Sequence, residues 1–284
     1  MNITETCQFL NVSRASYYRW EKNPVGIREQ QGLELDRMIK AVFLEHKERY
    51  GAERIRRCLK AQGIQVSAKR VSTRMKLMNL KARASRKYKV TTDSNHTKPI
   101  SPNLLEQNFS ATAPNQKWVS DITYIRTEEG WLYLCVVVDL FSRAVIGWHM
   151  SNRMSAELVN KSLLMALFRR KFPRGVIIHT DRGSQYCSGS FQALLKKHGL
   201  LSSMSAKGCC YDNAVCESFF HSMKVELVYT LQYHTRREAN ASIFEYIEAY
   251  YNNKRMHSTL NYMTPMQFES TMDLSQTTCL KKVG

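Results

Sequence analysis

The residues of this 284-residue chain best suited to chemistry are three carboxylates, Asp121, Asp181 and Glu217. Asp121 lies inside the alternating apolar run DITYI, which predicts a position in the middle of a β-strand. Asp181 ends the apolar run VIIHT, and Glu217 opens the amphipathic stretch AVCESFFHSMKVELVY, with 35 residues between the two. An ionised aspartate in a strand as apolar as DITYI needs a partner or a metal ion.

A strand, a strand end and a helix can bring such carboxylates together around two divalent cations. Two ions about 3.5–4 Å apart stabilise both the attacking and the leaving oxygen of a phosphoryl displacement. Mg²⁺ suits this chemistry because it accepts a few carboxylates and keeps positions open for water and phosphate oxygens. The pattern therefore predicts phosphoryl transfer on DNA with two Mg²⁺ per active site, for which Mn²⁺ can substitute.

The composition indicates a folded protein that binds a polyanion. With 43% hydrophobic residues the chain can bury a core, and its length allows two or three domains. The formal net charge is +18, and residues 1–100 hold 22 Lys+Arg against 9 Asp+Glu, a local excess of +13. This excess favours nucleic acid or an anionic membrane surface as partner. Since no apolar run approaches the roughly 18 residues of a membrane helix, we expect double-stranded DNA and no membrane.

The eight cysteines predict neither a zinc site nor a disulfide framework. They form no C-x-x-C pair, and no histidine pair accompanies them at zinc-finger spacing. Several, such as Cys135, lie in apolar runs typical of small buried side chains. A reduced cytoplasm, in association with the nucleoid, is the expected location.

Residues 1–25 predict a short helix-turn-helix. Thr4 and Ser13 are the candidate N-caps, and the second helix presents Arg14 and Arg19 as a helix entering a major groove would. An ordinary helical hairpin is the alternative. Such units normally bury their core against a third helix, so we expect this one either to be truncated or to be completed by something outside the chain.

Residues 30–83 predict a second, all-helical DNA-binding domain. Three apolar stripes recur at helical spacing, with Ser67 as an N-cap. The polar faces are almost entirely positive, whereas a face that only contacts solvent should mix signs. The candidate DNA contacts are Arg54, Arg56, Arg57, Lys69, Arg70 and Arg74.

Residues 84–115, rich in Lys, Arg, Ser, Thr and Pro, predict an extended basic linker that could follow a phosphate backbone. A mixed α/β catalytic core is expected over 116–230 and a C-terminal helical extension over 231–284. The core pattern predicts three antiparallel strands and then alternating helices and strands, at about 117–126, 131–139, 143–150, 155–170, 176–180, 188–198 and 200–204, before the Glu217 helix.

Lys224 follows Glu217 by seven residues, so the two side chains share a helix face. They are too far apart to pair directly, but they can share a ligand, with Glu217 on a metal ion and Lys224 on DNA. A solvated charged face is the alternative. The preceding segment SAKGCCYDN (205–213) predicts either a mobile active-site loop or an ordinary connector.

The residues around the three carboxylates resemble the DDE signature of retroviral-integrase-like catalytic cores. Asp121 stands in PNQKWVSDITYI, RGSQY follows Asp181, and Glu217 lies in GCCYDNAVCESFF. Over about residues 4–270 the chain resembles the second-frame product of bacterial insertion-sequence transposases made from two overlapping reading frames. The segments RYGAERI, VVVDLFSRAVIGW and YNNKRMHSTLNYMTP belong to the same resemblance.

This resemblance implies an RNase H-like fold behind helix-turn-helix units, Mg²⁺-dependent cleavage at the element's ends, and strand transfer of the 3′-OH. It implies that the three carboxylates bind metal and that Lys224 contacts DNA. Within the matching segments, Asn213 and Arg255 are further candidates for DNA binding. We expect a homo-oligomer assembled on DNA, with the first-frame product, or its fusion, as a possible partner. The zinc module of retroviral integrases is missing, which argues against that branch.

Two other functions fit part of the pattern. A non-catalytic DNA-binding regulator would use the basic helices, but it would not need an aspartate inside a strand. An RNase H-like nuclease or resolvase would share the metal ions without strand transfer, and the basic N-terminal third favours a transposase over it. Asp139 competes with Asp121 for the catalytic role, and we expect it to be structural, with Arg143 as its partner.

Overall fold

The computed structural model describes residues 2–22, 26–83, 101–205 and 213–271. Contacts within the chain group it into two compact units, residues 1–84 and residues 85–284. None of the helices in the described ranges has the length and apolarity needed to cross a bilayer.

The first unit begins with the predicted helix pair, α1 (Ile3–Phe9) and α2 (Arg14–Lys22). The N-cap of α1 is Asn2, and the prediction of Thr4 is wrong, because Asn2 and Glu5 form a reciprocal capping box. Ser13 is confirmed at the start of α2, where its hydroxyl accepts a hydrogen bond of 3.1 Å from the backbone N–H of Ser16. The turn between the helices uses Asn11 at a positive φ of 51°.

Three further helices complete this unit: α3 (Ile27–Glu45), α4 (Ala52–Ala61) and α5 (Ala68–Leu77). Their predicted apolar stripes are confirmed, since one or more side chains of each helix are fully buried, among them Ile39, Ile55 and Val71. Ser67 caps α5 as predicted, accepting a hydrogen bond from the Arg70 N–H.

The second unit is built on a five-stranded sheet in the order β3-β2-β1-β4-β5. The three antiparallel strands are confirmed as β1 (Lys117–Thr127), β2 (Gly130–Asp139) and β3 (Val145–Ser151). The strands β4 (Ile177–Thr180) and β5 (Leu201–Met204) run parallel to β1. The helices between and after them are α6 (Ala156–Arg169), α7 (Gly189–His198), α8 (Ala214–Glu226) and α9 (Arg236–Phe244). This mixed sheet with helices on both sides is the predicted RNase H-like, integrase-type architecture.

One face of the sheet carries the main hydrophobic core. Side chains of β1 and β2, including Trp118 and Cys135, pack there with Leu163 of α6 and Phe191 of α7. The helices α8 and α9 contact β1 and β2, where Leu132 faces α9. Adjacent residues of a strand point to opposite faces, so Asp121 and Ser120 lie on different sides of the sheet.

The residues after 230 pack on the same sheet. The helix α9 continues as a π-helix, Glu245–Tyr251, and the Asn252 side chain then forms two hydrogen bonds with the backbone of Val145 in β3. Near the end of the described chain, Glu269 is bound by Arg170 and by Ser142. Residues 231–271 therefore complete the core instead of extending away from it.

The linker prediction needs correction where the structure describes it, over 101–115. Leu105 is buried at 1% exposure, the Leu104 N–H donates to Ser203 Oγ at 2.8 Å, and the Met204 N–H donates to the Pro102 carbonyl. Burial of Leu105 and these hydrogen bonds to β5 hold the segment against the sheet, so it cannot follow DNA as a free strand. Residues 84–100 of the predicted linker lie outside the described ranges.

Candidate active site

Asp121 lies in the middle of β1, as predicted, just beyond the part of that strand covered by β4. The strand pairs with β2 along its length, but with β4 only at residues 117–119. Asp121 is half-buried, and its Oδ1 accepts a hydrogen bond of 2.8 Å from the Ile122 N–H. The pairing of β1 with β4 thus ends two residues before Asp121.

Asp181 directly follows β4, so the parallel pairing of β4 with β1 brings it towards Asp121. Its Oδ1 accepts a hydrogen bond of 2.9 Å from the Gly183 N–H. A Cβ at residue 183 would lie 2.9 Å from the same oxygen, so a glycine is needed there for this carboxylate orientation. The neighbouring Arg182 anchors the loop by donating to the Ser205 carbonyl at 2.7 Å.

Glu217 lies in the first turn of α8 and is half-buried. Burial raises the pKa of its carboxyl group above the usual value. The loop of 205–213 that precedes α8 falls largely outside the described residues, which resume at Asn213.

The three carboxylates interact electrostatically through Asp121. Burial, followed by the negative charge of Asp181, raises the pKa of Asp121 well above its usual value, and Glu217 adds to this effect. The Ile122 N–H and the Lys224 charge act in the opposite direction. Three acidic groups in one partly buried region repel one another, and a bound cation would relieve that repulsion.

Lys224 differs from its prediction as a side chain that projects towards DNA. It is only 5% exposed, and its Nζ lies 5.0 Å from the centre of the Tyr124 ring. Burial lowers its pKa, and the Asp121 charge raises it. The absence of β4 beyond residue 119 gives this long side chain room beside β1, where its ammonium offsets part of the carboxylate charge.

Two other predicted DNA contacts are also buried in the core. Arg255 is 6% exposed and binds the Glu226 carboxylate through both Nε and Nη2, so its charge is already paired inside the protein. Asn213 is 7% exposed, and within the described residues its Oδ1 has no hydrogen-bond partner. Neither side chain presents a surface to DNA in this structure.

The predicted DNA contacts of the first unit divide into two groups. Four are exposed, namely Arg14, Arg19, Lys69 and Arg70. The others are engaged within the unit, since Arg56 and Arg57 bind Glu53, Arg74 binds Asp36, and Arg54 lies over the Tyr50 ring at 5.4 Å. The sequence did not distinguish the exposed cations from the engaged ones, because all of them carry the same charge and the partners Glu53 and Asp36 become neighbours of these arginines only in the folded helices.

Asp139 is structural, as expected, but Arg143 is not its ion-pair partner. Asp139 is fully buried and accepts hydrogen bonds from the Asn115 N–H, the Trp118 Nε1–H and the Phe141 N–H. The nearest guanidinium is that of Arg170, at 3.9 Å.

Tyr186, in the segment RGSQY, was missed as a residue that positions the site. Its hydroxyl lies 3.0 Å from Ser120 Oγ, and its ring is 1% exposed. It therefore joins the loop after Asp181 to the residue before Asp121. An aromatic residue at the end of a polar segment was the only sequence signal.

Family models match most of the chain in three stretches. An HTH-like domain matches residues 28–88, and two models described as Integrase core domain match residues 111–210 and 217–272.

Known proteins show similarity over nearly the whole length. The chain is 50% identical over 271 residues to the transposase InsF for insertion sequence IS3A of Escherichia coli (strain K12), covering 95% of this chain and 94% of that protein. It is 42% identical over 262 residues to the insertion element IS600 uncharacterized 31 kDa protein of Shigella sonnei, covering 92% and 96%. A solved structure of the HTLV-2 integrase catalytic core domain in complex with magnesium aligns with a TM-score of 0.41 at 19% identity, covering 56% and 98%.

The identity to InsF extends through both the helical unit and the unit that holds the carboxylates. The chain belongs to the insertion-sequence transposases of the InsF family, with an HTH-like domain ahead of an integrase core.

Proposed function

We propose that this transposase cuts and joins DNA with Asp121, Asp181 and Glu217 as its metal ligands. The supporting observation is that the parallel pairing of β4 with β1 brings Asp181 towards Asp121, and that α8, which carries Glu217 in its first turn, contacts β1. In agreement with this placement, the charges of Asp181 and Glu217 both raise the pKa of Asp121. Mg²⁺, or Mn²⁺ in its place, would stabilise the attacking and leaving oxygens of the phosphoryl group when two ions are bound there.

The donor set fits such ions in its chemistry, since hard cations prefer carboxylate oxygens. Among the described residues, no three His, Cys, Asp or Glu side chains are close enough to hold one ion together. We therefore propose that Asp121 and Asp181 form the first pair of ligands and that Glu217 turns in to complete the set. The Ile122 and Gly183 N–H groups fix the orientation of that first pair.

The proposed reaction has two steps. In cleavage, a water oxygen attacks the phosphorus at the element's end, the P–O3′ bond breaks, and a free 3′-OH is left. In strand transfer, the oxygen of that 3′-OH attacks a phosphorus of target DNA and forms a new phosphodiester bond, the target's own P–O3′ bond breaks, and the released 3′-oxygen takes up a proton from solvent while the attacking hydroxyl gives one to solvent. The Lys224 ammonium offsets carboxylate charge beside the entering phosphates.

DNA affinity is proposed to come mainly from exposed cations of the helical unit, Arg14, Arg19, Lys69 and Arg70. The transposase is further proposed to act as a homo-oligomer on DNA, with the first-frame product or its fusion as a partner. The exposure of Phe9 (79%) and Trp20 (60%) on the first helix pair supports an additional protein contact there.

The test compares Asp181→Asn with Glu157→Gln, a change of an exposed acidic residue on α6. Asp181→Asn should abolish cleavage and joining of element-end DNA and weaken Mn²⁺ binding in calorimetry, while DNA affinity persists. Glu157→Gln should match the unmodified protein in all three measurements. Near-full activity of Asp181→Asn with Mg²⁺ would refute the ligand assignment. A wild-type protein that binds DNA but cuts it with neither metal would favour the regulator.

A further inference from the structure

Two exposed aromatic side chains lie beside the candidate active site and have no role in the core. Tyr124 of β1 is 42% exposed and Trp131 of β2 is 46% exposed. Their rings meet edge to face, with centroids 5.1 Å apart. We refer to Tyr124 and Trp131 as the aromatic pair.

Strand register places the aromatic pair on one face of the sheet. Tyr124 lies opposite Tyr133 and Arg126 lies opposite Trp131, and directly opposed residues share a face. Towards the other end of β2, Cys135 and Val137 of this face are covered by the hydrophobic core. The aromatic pair therefore lies beyond the part of this face that α6 and α7 cover, next to the exposed side chain of Arg126.

The aromatic pair is coupled to the carboxylates through Lys224. The Lys224 ammonium lies 5.0 Å from the centre of the Tyr124 ring and also acts on the charge of Asp121. Asp121 and Tyr124 are three residues apart on one strand, which corresponds to about 10 Å. An odd separation places the side chains of Asp121 and Tyr124 on opposite faces of the sheet, but β4 pairs with β1 only as far as residue 119, and Lys224 reaches both groups beyond that point. DNA whose phosphate reaches the carboxylates, and whose end passes this edge of β1, would bring its next nucleotides to the aromatic pair.

From this arrangement we propose that the aromatic pair stacks on an unpaired base at the cleaved end of the DNA. The inference rests on the proposed function, since it needs a DNA end at the carboxylates. Aromatic rings bind bases of any sequence through their π-faces, and nearby cations hold the backbone. Stacking would offset the free-energy cost of opening the terminal base pairs, so the aromatic pair would favour frayed ends.

The probe is a 30-base-pair duplex with the terminal sequence of the DNA element, made fully paired or with its last base pairs mismatched. A 2-aminopurine at an unpaired position reports stacking through loss of fluorescence. Trp131→Ala and Tyr124→Ala are compared with Tyr229→Ala, which removes an exposed aromatic ring (57%) from the turn after α8. Trp131→Phe keeps an aromatic surface, and urea unfolding of each variant checks the fold.

Wild type and Tyr229→Ala should quench the 2-aminopurine, and Trp131→Ala should not. On the fully paired end, Trp131→Ala should lower the cleavage rate roughly tenfold or more, the effect expected for one lost base stack. The mismatched end should recover most of that loss, and Trp131→Phe should restore both signals.

If the full-length wild type cleaves the duplex but Trp131→Ala behaves like Tyr229→Ala in fluorescence and rate, the aromatic pair only stabilises the hairpin and the inference is overturned. The inference is also overturned if Trp131→Ala lowers the cleavage rate equally on paired and mismatched ends and unfolds at a lower urea concentration. Failure of the wild type itself to cleave with Mg²⁺ would instead count against the proposed function.

Discussion

Arg255 and Glu226 form a buried ion pair that ties the C-terminal segment to α8, the helix that carries Glu217. Arg255 Nη2 lies 2.8 Å from Glu226 Oε1, and Arg255 Nε lies 3.0 Å from both carboxylate oxygens. The Tyr246 hydroxyl donates a further hydrogen bond of 2.9 Å to the same carboxylate. A residue expected at the DNA surface thus holds the helix of the active site in place.

Arg255→Ala should lower the free energy of unfolding by about 3–5 kcal/mol, because it leaves the buried Glu226 charge without its partner. The control is Arg169→Ala, which breaks the more exposed pair with Glu248 and should cost about 1 kcal/mol or less. Urea unfolding of the full chain, followed by tryptophan fluorescence, measures both. An equal decrease in the free energy of unfolding in the two variants would mean that burial does not make the Arg255–Glu226 pair more important for stability than an exposed pair.

Gly183→Ala should reduce the cleavage rate by about 10²-fold, a loss that misplacement of a reacting group by about 1 Å can cause. The added Cβ would lie 2.9 Å from Asp181 Oδ1, and only a turn of that flexible carboxylate would relieve the contact. Stability should change little for the same reason. Gly189→Ala is the matched control, because a Cβ at residue 189 meets nothing within 4 Å. Normal cleavage by Gly183→Ala would show that the Asp181 orientation seen here is not the active one.

Lys69→Ala combined with Arg70→Ala should weaken binding of the full chain to duplex DNA and make it less sensitive to salt. Each lost phosphate contact should reduce the slope of log affinity against log salt by about 0.9. Arg56→Ala is the control, because Arg56 is bound to Glu53 on the same helix. Fluorescence anisotropy at several salt concentrations gives the slopes. A larger effect from Arg56 than from the double change would reverse the assignment of the exposed residues.

His234 should titrate above the usual pKa of a histidine, since its hydrogen bond to Glu128 raises its pKa. The same contact lowers the pKa of Glu128. The pair therefore contributes its full stabilisation between the two ordinary pKa values; the contribution is lost as pH rises through the raised pKa of His234 and as pH falls through the lowered pKa of Glu128. Glu128→Gln should lower the His234 pKa in an NMR titration. His149, whose pKa is lowered by burial, should not move, and an unchanged His234 would show that the contact does not persist in solution.

The sequence was sufficient to predict the order of elements and the place of each carboxylate. The alternation in DITYI predicts a half-buried strand, and the long apolar run of β2 predicts a buried one. Both predictions are possible because the alternation of side chains along a strand is visible within a few neighbouring residues. The position of Asp181 at a strand end and of Glu217 in a first helical turn followed from the same patterns, and the structure confirms both placements.

The long-range partners were not predictable in the same way. Arg255 meets Glu226 across 29 residues, and Arg74 meets Asp36 across 38. Nothing in the local sequence distinguishes these arginines from the exposed Arg70. Lys224 was placed on the correct helix face, but its burial depends on how far β4 extends along β1, which helical periodicity does not report.

The hydrogen bonds between Asn252 and Val145 also bear on how the sheet avoids pairing with other molecules. β3 is an edge strand, and the exposed backbone of an edge strand is a template for aggregation. The Asn252 amide accepts a hydrogen bond from the Val145 N–H at 3.0 Å and donates one to the Val145 carbonyl at 2.9 Å. One side chain therefore makes the hydrogen bonds that a neighbouring strand would otherwise make at this residue. A chain truncated at residue 230 would keep all three carboxylates, yet its open edge would favour self-association over catalysis.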